Sequence, residues 1–142
     1  MGKSTKEKIR LARKRALRQY EKHRRHNLVY STPGVHDFIV VLDNLKPSFN
    51  IGKIFRSADA FGAKEVHLMG IDHFDVRSAK GSFTLVPTRF HENFSSCYED
   101  LQERGHVMQI LEPGEGSGLH QVQLSGNSAF MFGYEEFGIS FD

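Results

Sequence analysis

The chain has 142 residues, of which 39% are apolar, enough for one compact domain with an appendage. Its longest uninterrupted apolar run, Phe38 to Leu42, is far shorter than the roughly 20 residues that span a membrane, and no apolar block follows the basic N-terminus as in a secretory signal. Cys97 is the only cysteine, which excludes an internal disulfide framework and a cysteine-cluster zinc site. These features predict a cytoplasmic protein.

The net charge of +2 conceals an uneven distribution along the chain. Residues 1–26 contain eleven of the nineteen Lys and Arg residues but only two of the seventeen acidic residues, a net charge of +9. Residues 27–142 carry a net charge of −7. Such an asymmetry predicts two regions with different roles.

The basic region favours a helix from Ser4 to about His26, because it lacks Gly and Pro and is rich in Lys, Arg, Ala and Leu. Ile9, Ala12, Ala16, Leu17 and Tyr20 form a thin apolar stripe at helical spacing. So many cations would neutralise RNA phosphates, although a solvated helix or a disordered tail is the simpler alternative. The candidate RNA-binding residues are Lys6, Lys8, Arg10, Arg13, Lys14, Arg15, Arg18, Lys22, Arg24 and Arg25.

The turn formers between Asn27 and Asp37 indicate a linker, so residues 1–35 are predicted to be a helical extension with its linker. Residues 36–142 alternate between short apolar runs and helical patterns, which predicts an α/β domain with a mostly parallel sheet and helices on both faces. The predicted strands are Phe38–Leu42, Val66–Met69, Leu85–Val86, Val107–Leu111 and Ala129–Phe132, and the predicted helices run from Ser48 or Asn50 to about Phe61 and from Asn93 to Arg104.

Loops after the carboxyl ends of parallel strands bind ligands in such folds, and three loops qualify. They cover residues 43–52, 112–118 and 133–142. In the first, Asn50 and Gly52 open a helix whose free amides attract anions, and Arg56 lies opposite much of the apolar stripe. From the spacing alone, a capped amphipathic helix with one surface arginine is the simpler interpretation.

The other two loops favour a flat or cationic ligand over a nucleoside triphosphate. Residues 112–118 match neither common phosphate-binding spacing, and their two carboxylates would repel a triphosphate but suit a sulfonium. Gly133 and Gly138 would let the backbone approach a flat ligand closely, although an acidic turn is the simpler interpretation. The eight histidines show no zinc-helix spacing, so no metal is expected.

Several segments in order resemble the SpoU-type (TrmH-like) ribose 2′-O-methyltransferases of the SPOUT superfamily. Leu42-Asp-Asn44 and Asn50-Ile-Gly-Lys-Ile-Phe-Arg56-Ser-Ala-Asp-Ala-Phe-Gly62 resemble the first motif of that family. Ser78-Ala-Lys-Gly-Ser82 and Val86-Pro87 resemble its middle segment, and Phe132-Gly-Tyr-Glu-Glu-Phe-Gly-Ile-Ser140 resembles its second motif. The resemblance covers the chain from about Asp37 onwards.

The resemblance implies an S-adenosylmethionine-dependent enzyme that methylates a ribose 2′-hydroxyl of tRNA or rRNA. It further implies a trefoil knot in the C-terminal part of the sheet and a homodimer with its active site at the subunit interface. Arg56, Asn50 and Glu135 would be catalytic, with Arg56 beside the 2′-hydroxyl. Leu111, Gly133 and Ile139 would line the cofactor pocket. The basic helix would be an RNA-binding extension outside the shared domain.

One departure from the family pattern bears on activity. The family has a third motif, a Pro-containing strand followed by a Ser-Leu-Asn-Val-Ser-like loop, and nothing after Ser140 supplies it. A catalytic domain that is truncated at its C-terminus, with an incomplete knot, is therefore expected. The alternatives are a non-catalytic RNA-binding relative or an inactive fragment, and an unrelated nucleotide-binding α/β domain.

Overall fold

The computed structural model of the chain describes residues 2, 4–44, 48–112, 114, 116–124 and 126–133. Within these residues, five parallel strands and three α-helices alternate as the sequence predicts, so the α/β fold class is confirmed. The trefoil knot expected in the C-terminal part depends on residues outside the described ones. The elements are α1 (Thr5–Tyr30), β1 (Ile39–Asp43), α2 (Ser48–Ala60), β2 (Glu65–Met69), β3 (Thr88–His91), α3 (Phe94–Glu103), β4 (Val107–Leu111) and β5 (Ser128–Phe132), with short 3₁₀ turns at Val76–Ala79, Ser82–Thr84 and Leu119–Gln121.

Two predicted boundaries are wrong. Helix α1 continues to Tyr30, so Asn27 belongs to the helix and not to the linker. The third strand is Thr88–His91 instead of Leu85–Val86, because the segment before it closes a 3₁₀ turn in which the amide of Leu85 donates to the carbonyl of Ser82. A 3₁₀ turn is incompatible with the extended backbone of a strand.

The strand order is β3-β2-β1-β5-β4. The chain builds the sheet from β1 towards β3, then crosses to the far edge to form β4 and returns to pair β5 with β1. The direction of winding therefore reverses between β1 and β5. Ligands in doubly wound sheets bind outside the carboxyl ends of the strands at such a reversal.

Both faces of the sheet are covered, as predicted. Every residue of β1 and β2 is buried, which is typical of central parallel strands. Val40 and Leu42 face a core formed with α1 and α2, whereas Ile39 and Val41 face a smaller core formed with α3. The alternation follows from the two-residue period of a strand.

The C-terminal half of α1 packs on the domain and does not extend freely into solvent. The ring of Tyr20 stacks on Phe83 at 5.7 Å between centroids and meets Phe74 edge-on at 5.4 Å. About two helical turns further along, the side-chain amide of the buried Asn27 donates to the carbonyls of Phe83 and Val86, both at 2.6 Å. Aromatic packing and the two hydrogen bonds of the buried Asn27 amide thus attach the basic helix to the 3₁₀ segment.

We predict that Asn27→Ala lowers the free energy of unfolding by about 1 to 3 kcal/mol, because it removes the donor from two buried carbonyls. Urea denaturation followed by circular dichroism would measure the change. Gln19→Ala, on the exposed side of the same helix, is the matched control and should alter stability by less than about 0.5 kcal/mol. Equal midpoints for Asn27→Ala and the unsubstituted protein would contradict the role given to this amide.

Candidate functional site

The carboxyl end of β1 turns sharply before α2 begins. Asn44, directly after the strand, adopts the left-handed conformation with φ of 49°, which Asn tolerates better than most residues. Its backbone amide donates to the carbonyl of Met69 at 2.7 Å, so the ends of β1 and β2 are held together. Helix α2 begins at Ser48, five residues after the end of β1, and so starts at the carboxyl edge of the sheet. Asn50 lies half-buried in the first turn of α2 at this edge.

Gly52 explains why α2 lies so close to its neighbour. A Cβ atom at this position would overlap the Ser78 hydroxyl and lie 2.8 Å from the backbone nitrogen of Ala79. Only glycine therefore permits the first turn of α2 to contact the 3₁₀ turn at Val76–Ala79. This contact joins two of the segments that carry the family resemblance.

Arg56 projects from the exposed face of α2, while its neighbour Phe55 is fully buried. Among the residues that the structure describes, Arg56 forms no hydrogen bond or ion pair, so its guanidinium is available to a substrate. Asn50 and Arg56 are separated by about 9 Å along the helix axis, given a rise of about 1.5 Å per residue, and no hydrogen bond joins them. Asn50 therefore does not hold the Arg56 side chain in place through a direct hydrogen bond.

Leu111 and Gly133 come together at the carboxyl edge of the sheet. Leu111, the last residue of β4, pairs in register with Phe132, and half-buried Gly133 follows directly. Leu111 also lines a cleft of about 570 Å³ formed with the loop that follows β4. The two other residues expected at this site, Glu135 and Ile139, lie outside the described residues.

The opposite wall of this cleft was missed by the sequence analysis. It is formed by Leu119, Val122 and Leu124, which follow the glycine-rich loop and include the 3₁₀ turn at Leu119–Gln121. The available signal for this wall was the presence of three apolar residues close together in an otherwise polar segment. Among the described residues, Glu112 gives the cleft an anionic group and these three side chains give it apolar surface.

The predicted RNA-binding residues divide into two groups. Nine of the ten are exposed along α1, whereas Arg24 is half-buried, with its guanidinium carbon 3.9 Å from the ring centroid of Phe90. Arg24 is therefore engaged in a cation–π contact within the protein. Burial lowers the pKa of the adjacent His23, which disfavours the charged form of that side chain. The basic surface accordingly runs along the helix from Lys6 to Arg25, without Arg24.

A second cleft, of about 700 Å³, separates this basic surface from the domain. Arg10, Arg13 and Lys14 line one side, and His73 and Asp75 line the other. The Arg77 guanidinium binds Asp75 at 2.6 Å and lowers the pKa of that carboxyl. The acidic side of the cleft is thus already neutralised, and the cationic side is open.

None of the helices that the structure describes is long and apolar enough to span a bilayer.

The fold is that of a doubly wound α/β protein, and the reversal of its strand order marks a candidate ligand site at the carboxyl edge of the sheet. The sequence profile of the SpoU rRNA Methylase family matches residues 37–142. The chain therefore belongs to the SpoU rRNA methylase family.

Individual relatives agree with this assignment. The chain is 29% identical over 109 residues to a tRNA (guanosine(18)-2′-O)-methyltransferase of Thermus thermophilus, covering 73% of this chain and 56% of that protein. It is 26% identical over 133 residues to a 23S rRNA (guanosine-2′-O-)-methyltransferase of Xanthomonas axonopodis, covering 90% and 53%. The chain spans about half the length of the curated relatives it matches.

Solved structures show the same fold. The SpoU methyltransferase AviRb of Streptomyces viridochromogenes, crystallised with the cofactor AdoMet, superposes with a TM-score of 0.68 at 27% identity. The superposition covers 76% of this chain and 45% of AviRb.

We predict that Gly52→Ala destabilises the protein by about 1 to 3 kcal/mol through overpacking against the 3₁₀ turn. The sign of the change in unfolding free energy is diagnostic, because Gly→Ala at an open helical position stabilises a protein by about 1 kcal/mol. Thermal and urea unfolding would give the difference. Ser57→Ala, exposed on the same helix, controls for helix propensity. A more stable Gly52→Ala variant would show that α2 does not depend on this close contact.

Proposed function

We propose that this chain is the catalytic region of an RNA methyltransferase that uses S-adenosylmethionine to methylate a ribose 2′-hydroxyl of tRNA or rRNA. The chain belongs to the SpoU family, and the observation that carries the proposal is that the candidate catalytic helix and the candidate cofactor cleft lie at the same edge of the sheet. The helix that bears Asn50 and Arg56 starts at the carboxyl edge of the sheet, where Leu111 lines the cleft and pairs with Phe132. Arg56 has no partner among the described residues.

The cleft fits the proposed cofactor in size and chemistry. Ligand pockets measure roughly 300 to 1,000 Å³, and the cleft has a volume of about 570 Å³. Leu111 and Leu119 offer apolar surface to an adenine, and the carboxylate of Glu112 suits a cationic sulfonium. We propose that Gly133 and Ile139 complete the cofactor site. When bound, S-adenosylmethionine supplies a methyl group activated by positively charged sulfur.

Arg56 is proposed to position the ribose 2′-hydroxyl and to stabilise the negative charge that grows on its oxygen as the proton leaves. A guanidinium remains protonated in proteins, so charge stabilisation suits it better than proton abstraction. Asn50 would orient the substrate at the start of α2, and Glu135 would support the same centre. Catalysis would then rest mainly on holding the 2′-oxygen in line with the methyl group.

Residues 1–35 are proposed to serve RNA binding, and residues 36–142 the chemistry. Helix α1 has 26 residues and is about 39 Å long at 1.5 Å per residue, enough to follow several phosphates. The domain itself is acidic, so the affinity for a polyanion would come from α1. A single-stranded or loop ribose is the expected target, because it exposes its 2′-hydroxyl.

A homodimer located in the cytoplasm completes the proposal, and one surface supports dimerisation. Phe38, Ile54, Phe61 and Phe132 line an apolar groove of about 310 Å³ between α2 and β5. Phe61 is 72% exposed and Phe132 is 38% exposed. A second subunit that covered this groove would bury both rings beside the candidate active site.

We predict that Arg56→Ala lowers the rate of methyl transfer by about 100-fold or more, as expected for loss of one charge-stabilising donor. Incorporation of labelled methyl from S-adenosylmethionine into total tRNA and rRNA would measure the rate, and calorimetry would show unchanged cofactor affinity. Lys53→Ala, another exposed cation on α2, should retain activity. Equal rates for Arg56→Ala and Lys53→Ala would remove Arg56 from the mechanism.

The same assay separates the enzyme from a non-catalytic RNA-binding relative. The relative would bind RNA with an affinity that neither S-adenosylmethionine nor Arg56→Ala changes, and it would transfer no methyl group.

We predict that Arg13→Ala weakens RNA binding uniformly across sequences and reduces the slope of log K against log salt by about 1. Fluorescence anisotropy with labelled RNA at several salt concentrations would give the slope. Lys64→Ala is the control, because Lys64 is a cation of the domain whose ammonium already pairs with Asp37 at 3.1 Å. An unchanged slope for Arg13→Ala would place the RNA elsewhere.

A further inference from the structure

Three side chains with metal-binding atoms meet on the face of the sheet that α3 covers. His67 lies on β2, His91 ends β3, and Cys97 lies on α3. One ligand atom from each lies within 4.8 Å of the others. None of the roles proposed above uses any of them.

A fourth donor lies beside the two imidazoles. His67 Nδ1 and His91 Nε2 are 3.0 Å apart, and Asp100 Oδ2 lies 3.8 Å from the first and 3.9 Å from the second. Asp100 follows Cys97 by three positions on α3, which puts both on one helix face. In tetrahedral zinc sites the ligand atoms are about 3.3 to 3.6 Å apart, given metal–ligand bonds of about 2.0 to 2.3 Å. The three distances among the two imidazole nitrogens and Asp100 Oδ2 are close to this range, and the Cys97 sulfur lies within 4.8 Å of a ligand nitrogen of each imidazole.

The surroundings orient both imidazoles for coordination. His67 Nε2 lies 2.8 Å from Glu65 Oε1, so the ring donates its proton there and leaves Nδ1 free to bind. Glu65 is itself fixed by the Arg104 guanidinium at 2.6 Å. On the other ring, His91 Nδ1 lies 3.3 Å from the Ser96 hydroxyl. Metal-binding histidines usually carry such an outer partner on their second nitrogen.

A simple hydrogen-bond chain does not account for the whole cluster. A chain from Glu65 through His67 and His91 to Ser96 would satisfy the imidazoles. It would leave the buried Asp100 Oδ2 without any hydrogen bond among the described residues. It would also give no role to Cys97, which is fully buried against the imidazoles. A divalent cation satisfies all four groups.

We propose that His67, His91, Cys97 and Asp100 form a structural zinc site that fastens α3 to β2 and β3. The ligand set suits zinc, which accepts sulfur, nitrogen and oxygen donors in one tetrahedral site. A thiolate and a carboxylate balance the two charges of the ion, so the buried centre is neutral. Four protein ligands close the site, as in structural zinc centres. The sequence analysis expected no metal because these ligands are not spaced as a local motif.

The test is metal binding by the full chain, with any purification tag removed. After treatment with chelator, the protein is reconstituted with Zn²⁺ or Co²⁺ and freed of excess metal. Mass spectrometry should find about one zinc per chain. The cobalt form should show near-ultraviolet charge-transfer absorption from a thiolate ligand. A metal-free protein after reconstitution, or a cobalt spectrum without that absorption, would overturn the proposal.

Three variants locate the site. Cys97→Ser should abolish the charge-transfer absorption, and His91→Gln should reduce bound zinc well below one per chain. His106→Gln is the matched control, because His106 is also buried but lies 3.5 Å from Asp37 and outside the cluster. It should bind zinc as the unsubstituted protein does. Equal zinc content in all three variants would show that the metal binds elsewhere and overturn the assignment.

Discussion

A cluster of aromatic rings positions both the basic helix α1 and the helix α2 that bears Arg56. Phe55 stacks on Phe74 at 5.4 Å, and Phe83 meets both rings edge-on at 5.1 Å and 4.8 Å. Tyr20 adds a fourth ring from the basic helix. Phe55 immediately precedes Arg56, so the ring cluster that holds α1 also holds the turn of α2 from which the proposed catalytic arginine projects. Aromatic pairs contribute about 0.5 to 1.5 kcal/mol each beyond the area they bury.

The attachment of α1 to the domain links the uneven charge distribution along the chain to the geometry of the candidate site. Phosphate contacts position a nucleic acid but do not by themselves bring one ribose to a catalytic group. A freely moving basic tail would raise the local RNA concentration without fixing its direction. Because Tyr20 and Asn27 attach α1 to the domain, the cations from Lys6 to Lys22 keep a defined direction relative to the sheet edge. RNA held along them would be presented in a limited set of orientations.

The sequence predicted the central elements well because their signals are local. The buried strand at β1 and the capped helix at α3 can be recognised from apolar runs and from a cap such as Asn93, whose side chain accepts from the amide of Ser96 at 3.0 Å. The sequence analysis ended α1 too close to its N-terminus. The last turn of this helix depends on hydrogen bonds from Asn27 to carbonyls 56 and 59 residues away. Such long-range pairs leave no periodicity in the chain.

The same distinction applies to the site. Arg56 and Leu111 could be selected because each follows a recognisable pattern, and the family resemblance supplied their proposed roles. The contact of Arg24 with Phe90 joins residues far apart in the sequence, so its partial withdrawal from the basic surface could not be foreseen. The cluster of His67, His91 and Cys97 was hidden for the same reason.

The packing of α3 explains why that edge of the sheet would gain from a metal. Helix α3 has ten residues, and only Cys97 and Leu101 are buried, against a small apolar core. Much of its remaining attachment is ionic, through Arg104 with Glu65 and through Arg89 with Asp100 at 2.9 Å. Partly buried ion pairs contribute little net stability, because desolvation offsets most of their attraction. Strand β3 is also a short edge strand of four residues. A zinc ion bound by one residue of β2, one of β3 and two of α3 would supply the fixed attachment that the apolar contacts on this face do not.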